Sequence, residues 1–156
     1  MSTTTIAEFM GQDHDRLDDL FKKFQTIKRQ DTPKARSFFQ EFMRGLHRHI
    51  VWEEDILFPE FEAQAEMVQN HGPTAVMRRE HREIKDFLAQ IYASVTAGDP
   101  MTDEAEQGLL KVLTAHNVKE EQILYPWIDN ALKAEQRMTL LTKMKELPPD
   151  PAHCCE

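Results

Sequence analysis

A stretch from His49 to Pro59, HIVWEEDILFP, returns from His116 to Pro126 as HNVKEEQILYP, and this repetition constrains the fold more than any other feature of the chain. The offset, 116 − 49, is 67 residues, and it also relates Glu53 to Glu120, Glu54 to Glu121, Ile56 to Ile123, Leu57 to Leu124 and Pro59 to Pro126. Carried backwards, it takes His14 to His81, Met10 to Met77, Asp13 to Glu80 and Asp19 to Asp86. Each half therefore supplies one lone histidine and one His-x-x-x-Glu.

Apolar residues recur at three- and four-residue spacing throughout, strand-like alternation is absent and glycine numbers only 5, so the chain reads as all-α. A length of 156 residues accommodates one domain with a real core, placed at 1–147 and followed by a flexible tail at 148–156. Lysine and arginine total 19 against 27 acidic residues, a formal charge of −8, which argues against nucleic-acid and anionic-membrane partners. No apolar run reaches membrane-spanning length, and the polar start MSTTTIAEFMGQDHD lacks the pattern of a signal peptide, so a cytoplasmic protein is expected. The two cysteines, Cys154 and Cys155, are adjacent and follow His153. That spacing cannot staple a core, and a frayed end after Pro148, Pro149 and Pro151 outweighs a soft-metal or redox role.

Helix punctuation divides the chain. Thr5 with Glu8 forms a capping box for a first helix whose apolar face is Ile6, Met10, Leu17, Phe21 and Phe24, with His14 on that face. Thr32 and Pro33 open a second helix along Ala35, Phe38, Phe39, Phe42, Leu46, Ile50 and Leu57, with His49 and Glu53 in the stripe. The turn Asn70-His71-Gly72-Pro73 precedes a third helix along Met77, His81, Ile84, Leu88, Ile91 and Val95. Gly98-Asp99-Pro100 ends it. From Thr102 a fourth helix runs through Leu109, Leu113, Ile123 and Leu124, in phase with His116 and Glu120. Pro59 and Pro126 each remove a helical hydrogen bond, so a kink or restart is expected just past each. The expected architecture is an up-down-up-down four-helix bundle with an additional short C-terminal helix ending near Leu147.

Residues four apart share a helix face, so His49 with Glu53 and His116 with Glu120 each aim an imidazole and a carboxylate at one point. His14 and His81 lie on the core stripes of the other two helices, and four imidazoles and two carboxylates therefore converge. A lone histidine in an apolar stripe is ordinarily a satisfied core residue. Six donors, all in phase with the core and all repeated at one offset, require a common cause, because unpartnered buried carboxylates are costly. A metal cluster supplies it. Six ligands exceed one tetrahedral zinc and suit two metals, with each carboxylate able to bridge. Mixed nitrogen and oxygen donors point to iron, with Zn or Mn as possible substitutes. His47 and Glu54 fall off the centre of the stripe and are outer candidates, and His71 is expected at the surface.

The order His, His-x-x-x-Glu, His, His-x-x-x-Glu, trailed by EE-x-x-LFP and EE-x-x-LYP, resembles the hemerythrin-like cation-binding (HHE) domain from His14 to Pro126. The resemblance implies a non-haem di-iron centre, oxo- or hydroxo-bridged, with His14, His49, His81 and His116 as terminal ligands and Glu53 and Glu120 as bridges. Oxygen-carrying hemerythrins add a histidine one turn before the third-helix ligand. Here that position is Met77, mirrored by Met10. Open coordination is therefore expected, to be filled by water, hydroxide, a small ligand, or an acid from among Glu54, Glu121, Asp13 and Glu80. Asp13, Glu80, Asp19 and Asp86 are repeat-matched candidates to support the ligands from behind, and Met10, Met77 and Ile50 to keep the pocket apolar. The expected function is binding or sensing of O2, NO or peroxide. The alternatives are a di-iron enzyme, for peroxide decomposition, oxidation or iron-sulfur cluster repair, and a zinc-stabilised helical interaction module.

Overall fold

The computed structural model describes residues 4–65 and 72–148, and all regular structure among them is helical. Asn70, His71, His153, Cys154 and Cys155 lie outside the described residues, as do residues 149–156 generally. Helix α1 (Ile6–Ile27) opens on the anticipated box: Thr5 Oγ1 accepts from the Glu8 N–H at 3.0 Å, and the Glu8 carboxylate accepts from the Thr5 N–H. Helix α2 (Thr32–Val51) is capped one residue earlier than expected, by Asp31, whose carboxylate accepts from the Lys34 N–H at 3.1 Å. A charged acceptor at the positive end of the helix outcompetes the Thr32 hydroxyl there.

The expected breaks at Pro59 and Pro126 occur upstream of the prolines. Residues Trp52–Leu57 and Glu120–Leu124 are π-helical turns, after which α3 (Phe58–Gln64) and α6 (Tyr125–Ala131) resume. Without a proline N–H, the ladder before each proline widens to five-residue spacing, with Phe58 N–H bonded to Glu53 C=O and Tyr125 N–H to Glu120 C=O. The extra residue shifts the helix phase. Ile123, read as a core position, is consequently 59% exposed, while its neighbour Leu124 is buried.

Helices α4 (Pro73–Thr96) and α5 (Asp103–Lys119) are joined at Gly98, whose φ of 76 and returning hydrogen bonds to Val95 and Ser94 from Gly98 and Asp99 close α4. Helix α1 packs on α2, α2 on α4, and α4 on α5. Lys28, just past α1, is buried against Thr102, Asp103 and Glu106, tying α1 to the start of α5. Helix α7 (Ala134–Glu146) covers the other end, where the Trp52 indole N–H donates to Met144 C=O at 2.8 Å.

Two apolar clusters form this helical bundle. One gathers Leu17, Phe21, Phe24, Phe39, Phe42, Ile84, Leu88 and Leu109, the other Ile6, Met10, Leu57, Phe58, Met77, Leu124 and Met144. His14 follows Met10 of one cluster and precedes Leu17 of the other, and His81 stands likewise between Met77 and Ile84. The shared spacing of the two halves thus becomes a polar layer between two dry ones. Burying each large apolar side chain contributes about 1.5–3 kcal/mol, enough in aggregate to hold a polar layer in place.

Candidate metal centre

The six anticipated residues meet in that layer. His14 comes from α1, His49 from the last turn of α2, His81 from α4 and His116 from α5, while Glu53 and Glu120 stand in the two π turns. None is more than 3% exposed. Glu53, His81, His116 and Glu120 bring one donor atom each within 4.8 Å of one another, and His14, His49 and Glu120 do the same. Glu120 belongs to both groups. Individual separations are His81 Nε2 to Glu53 Oε1 3.0 Å, His116 Nε2 to Glu120 Oε2 3.2 Å, His14 Nε2 to Glu120 Oε1 3.3 Å and His14 Nε2 to His49 Nε2 3.1 Å.

Each imidazole is gripped from behind by a carboxylate. His14 Nδ1 meets Glu121 at 3.0 Å, His49 Nδ1 meets Asp13 at 2.8 Å, His81 Nδ1 meets Glu54 at 2.5 Å and His116 Nδ1 meets Glu80 at 2.9 Å. The repeat survives in this outer ring: Asp13 and Glu80 each hold the histidine of their own half's His-x-x-x-Glu, and Glu54 and Glu121 each hold the lone histidine of the opposite half. These four acids were expected among the groups filling an open position. The structure turns them to the outer ring nitrogens, because a carboxylate bound to Nδ1–H lies on the far side of the ring from Nε2. Asp19 and Asp86 are not part of the ring. Both are exposed, and Asp19 pairs with Lys23 at 3.0 Å. His47 is half-buried on α2 and belongs to neither donor group.

Tyr125, which nothing in the helical spacing singled out, reaches the centre. It is fully buried, and its hydroxyl lies 2.8 Å from Glu53 Oε2, 2.9 Å from Glu120 Oε1, 3.2 Å from His49 Nε2 and 3.3 Å from His14 Nε2. The available signal was the single substitution between LFP and LYP. Its counterpart Phe58 instead stacks parallel to His81 at 6.2 Å between ring centroids.

The electrostatics are those of a site filled by protons. Burial alone would lower the pKa of His14, but Glu120, Glu53 and Glu121 outweigh it and raise it to about 9. His81 likewise rises to about 9 against its burial, through Glu53 and Glu54. His116 is raised by Glu120 and Glu53 against its burial. Burial and the Glu120 charge push Glu53 up, whereas His116, Glu53 and His14 hold Glu120 well below the usual carboxylate range despite its burial. Burial and the two carboxylates raise the Tyr125 phenol well above its ordinary value.

A metal fits these donors on two observations. Carboxylates on all four Nδ1 atoms leave every Nε2 turned inward, so those nitrogens carry either protons, as the raised His14 and His81 do, or a cation that displaces them. Glu120 Oε2 is buried and makes no well-aligned hydrogen bond, its near neighbour His116 Nε2 standing at 3.2 Å, so a cation between the two would satisfy both.

A helical bundle with buried imidazoles and carboxylates sharing one layer defines a cation-binding class. The comparisons narrow it: the chain belongs to the Hemerythrin HHE cation binding domain family, whose model matches residues 5–128. A protein named "DNA nickase" from Nostoc sp. (strain PCC 7120 / SAG 25.82 / UTEX 2576) is 27% identical over 140 residues, covering 90% of this chain and 38% of that protein. An uncharacterised hemerythrin-like protein from Schizosaccharomyces pombe (strain 972 / ATCC 24843) is 25% identical over 147 residues, covering 91% of this chain and 68% of the relative. The chain thus spans well under half of the nickase. No solved structure gives a significant match. Among the described residues no helix is long and apolar enough to cross a membrane.

Proposed function

We propose that residues 1–147 form a di-iron domain, an up-down-up-down four-helix bundle in which His14, His49, His81, His116, Glu53 and Glu120 hold two iron ions, and that it binds or senses O2, NO or peroxide. The observation that carries this reading is the set of four imidazoles whose outer nitrogens are all engaged by carboxylates, leaving their inner nitrogens to share one buried layer with Glu53 and Glu120. Mixed imidazole and carboxylate donors suit iron in both common oxidation states. Bound iron would supply a redox couple and open positions for a small ligand.

The chain's own residues would do the rest. Asp13, Glu54, Glu80 and Glu121 fix ring orientation and raise the basicity of the inward nitrogens. Met10 and Met77, one turn before His14 and His81, are buried, as is Ile50, and apolar walls admit a small ligand while keeping bulk water out. The burial of all six donors favours a ligand of a few atoms over a larger substrate. A second reading, peroxide turnover, is favoured by Tyr125, whose hydroxyl places a proton within 3.3 Å of the donor layer. The nickase relative extends far beyond the matched region, and its printed activity is not carried over.

The test is optical. Anaerobically reduced, iron-loaded protein is exposed separately to O2, NO and peroxide. A stable coloured adduct supports binding, and rapid peroxide loss without one supports turnover. Redox-silent zinc in protein purified gently from its native cells would defeat both readings in favour of a structural module.

A further inference from the structure

The two donor groups are unequal. Glu53, His81, His116 and Glu120 make four donors, whereas His14, His49 and Glu120 make three. Glu53 approaches the smaller group at 3.9 Å from His49 Nε2, whereas the Tyr125 hydroxyl lies within 3.3 Å of all three of its members. Donor atoms about 2.0–2.2 Å from a common ion lie roughly 2.8–3.6 Å apart at tetrahedral or octahedral angles. The Tyr125 hydroxyl meets that spacing to Glu120 Oε1 at 2.9 Å, His49 Nε2 at 3.2 Å and His14 Nε2 at 3.3 Å, and His14 Nε2 meets it to His49 Nε2 at 3.1 Å and to Glu120 Oε1 at 3.3 Å. Five of the six edges of a four-donor polyhedron thus fall in range, and the sixth, between His49 and Glu120, is under 4.8 Å.

A purely structural hydroxyl accounts for this arrangement less well. One O–H can donate once, yet two carboxylate oxygens and two imidazole nitrogens surround it at 2.8–3.3 Å. Residue 58, its counterpart across the repeat, is a phenylalanine stacked on His81, so the half that already has four donors receives no fifth from this position.

We propose that the Tyr125 oxygen is a seventh protein donor, completing the His14–His49–Glu120 position and making the two metal positions chemically distinct. This rests on the di-iron reading above. As the oxygen-metal bond forms, the O–H bond breaks and its proton leaves to solvent. A hard, anionic oxygen selects ferric over ferrous iron, so the position beside Tyr125 is the more readily oxidised of the two.

The experiment loads the full chain anaerobically with ferrous iron, oxidises it with ferricyanide and records iron content, visible absorption and resonance Raman spectra. The expected result is two irons per chain, a phenolate-to-iron charge-transfer band and enhanced tyrosine ring modes, all retained by a Tyr92→Phe control. Tyr125→Phe loses the band and the ring modes while keeping at least the iron of the four-donor position. Phe58→Tyr, which offers a phenol to the other half, provides a second variant in which the band gains intensity or a new component. A native protein that holds two irons without the band overturns the seventh donor and leaves the di-iron reading standing. A band that survives Tyr125→Phe also overturns it. A native protein that holds no iron overturns both.

Discussion

Asp13→Asn isolates what the outer carboxylates contribute. Asp13 is 8% exposed, and its Oδ2 lies 2.8 Å from His49 Nδ1 while Arg16 holds its Oδ1 at 2.9 Å. Burial would raise its pKa, but His49 and Arg16 outweigh burial and hold the carboxyl below its usual value, so it is an anion at neutral pH. Asparagine keeps the size and can keep a hydrogen bond to Nδ1–H, but it withdraws the charge that makes the inward nitrogen a strong donor. Loss of such a partner weakens metal affinity about 10- to 100-fold, which is about 1.4–2.7 kcal/mol. The assay is anaerobic competition for ferrous iron against a calibrated chromogenic chelator. Asp19→Asn is the control, since Asp19 belongs to the same repeat-matched set but is 64% exposed by side chain and paired with Lys23. Native-like affinity for Asp13→Asn, or equal weakening by Asp19→Asn, refutes the reasoning.

Other expectations follow from the same geometry. Because His14 and His81 are raised from 6.5 to about 9 in the folded metal-free protein, their stabilising contribution is complete below pH 6.5 and is lost as pH rises through about 9. The urea midpoint of metal-free protein should therefore fall across that window, while apparent iron affinity rises as competing protons leave; a flat profile for both would contradict the assigned histidine environment. Phe39→Ala, in the apolar cluster beyond the polar layer, should cost about 3–5 kcal/mol of stability without changing iron per folded chain, as read by denaturation and metal analysis. Asp129 accepts the Ile6 and Ala7 N–H groups at 2.8 and 3.1 Å, so Asp129→Ala should lower stability by about 1–2 kcal/mol, measured as a shift in the urea midpoint at constant slope.

Much of this was legible because repetition multiplies weak signals. A histidine between Met10 and Leu17 means little alone, but its recurrence at 81, with Glu53 and Glu120 at the same offset, located the whole inner layer. Asp13 and Glu80 were visible as a matched pair, yet nothing in spacing separated them from Asp19 and Asp86, because a six-residue step along one helix moves a side chain from the site to solvent. The roles of Glu54 and Glu121 depended on contacts across the bundle, which no single helix records. Ile123 departs from the hydrophobic period because the π turn at Glu120–Leu124 breaks it. Tyr125 was hidden by its resemblance to Phe58: both fill an apolar core, and only the assembled site gives one hydroxyl four polar neighbours.

Whether the buried layer holds two metals is decided by iron analysis of the native protein beside His116→Ala after identical anaerobic loading and removal of free metal. The account predicts two irons per native chain, with substantially less iron and a lower melting temperature in His116→Ala, since metal binding is linked to folding. Equal iron content in the two proteins, or none in the native chain, would contradict it.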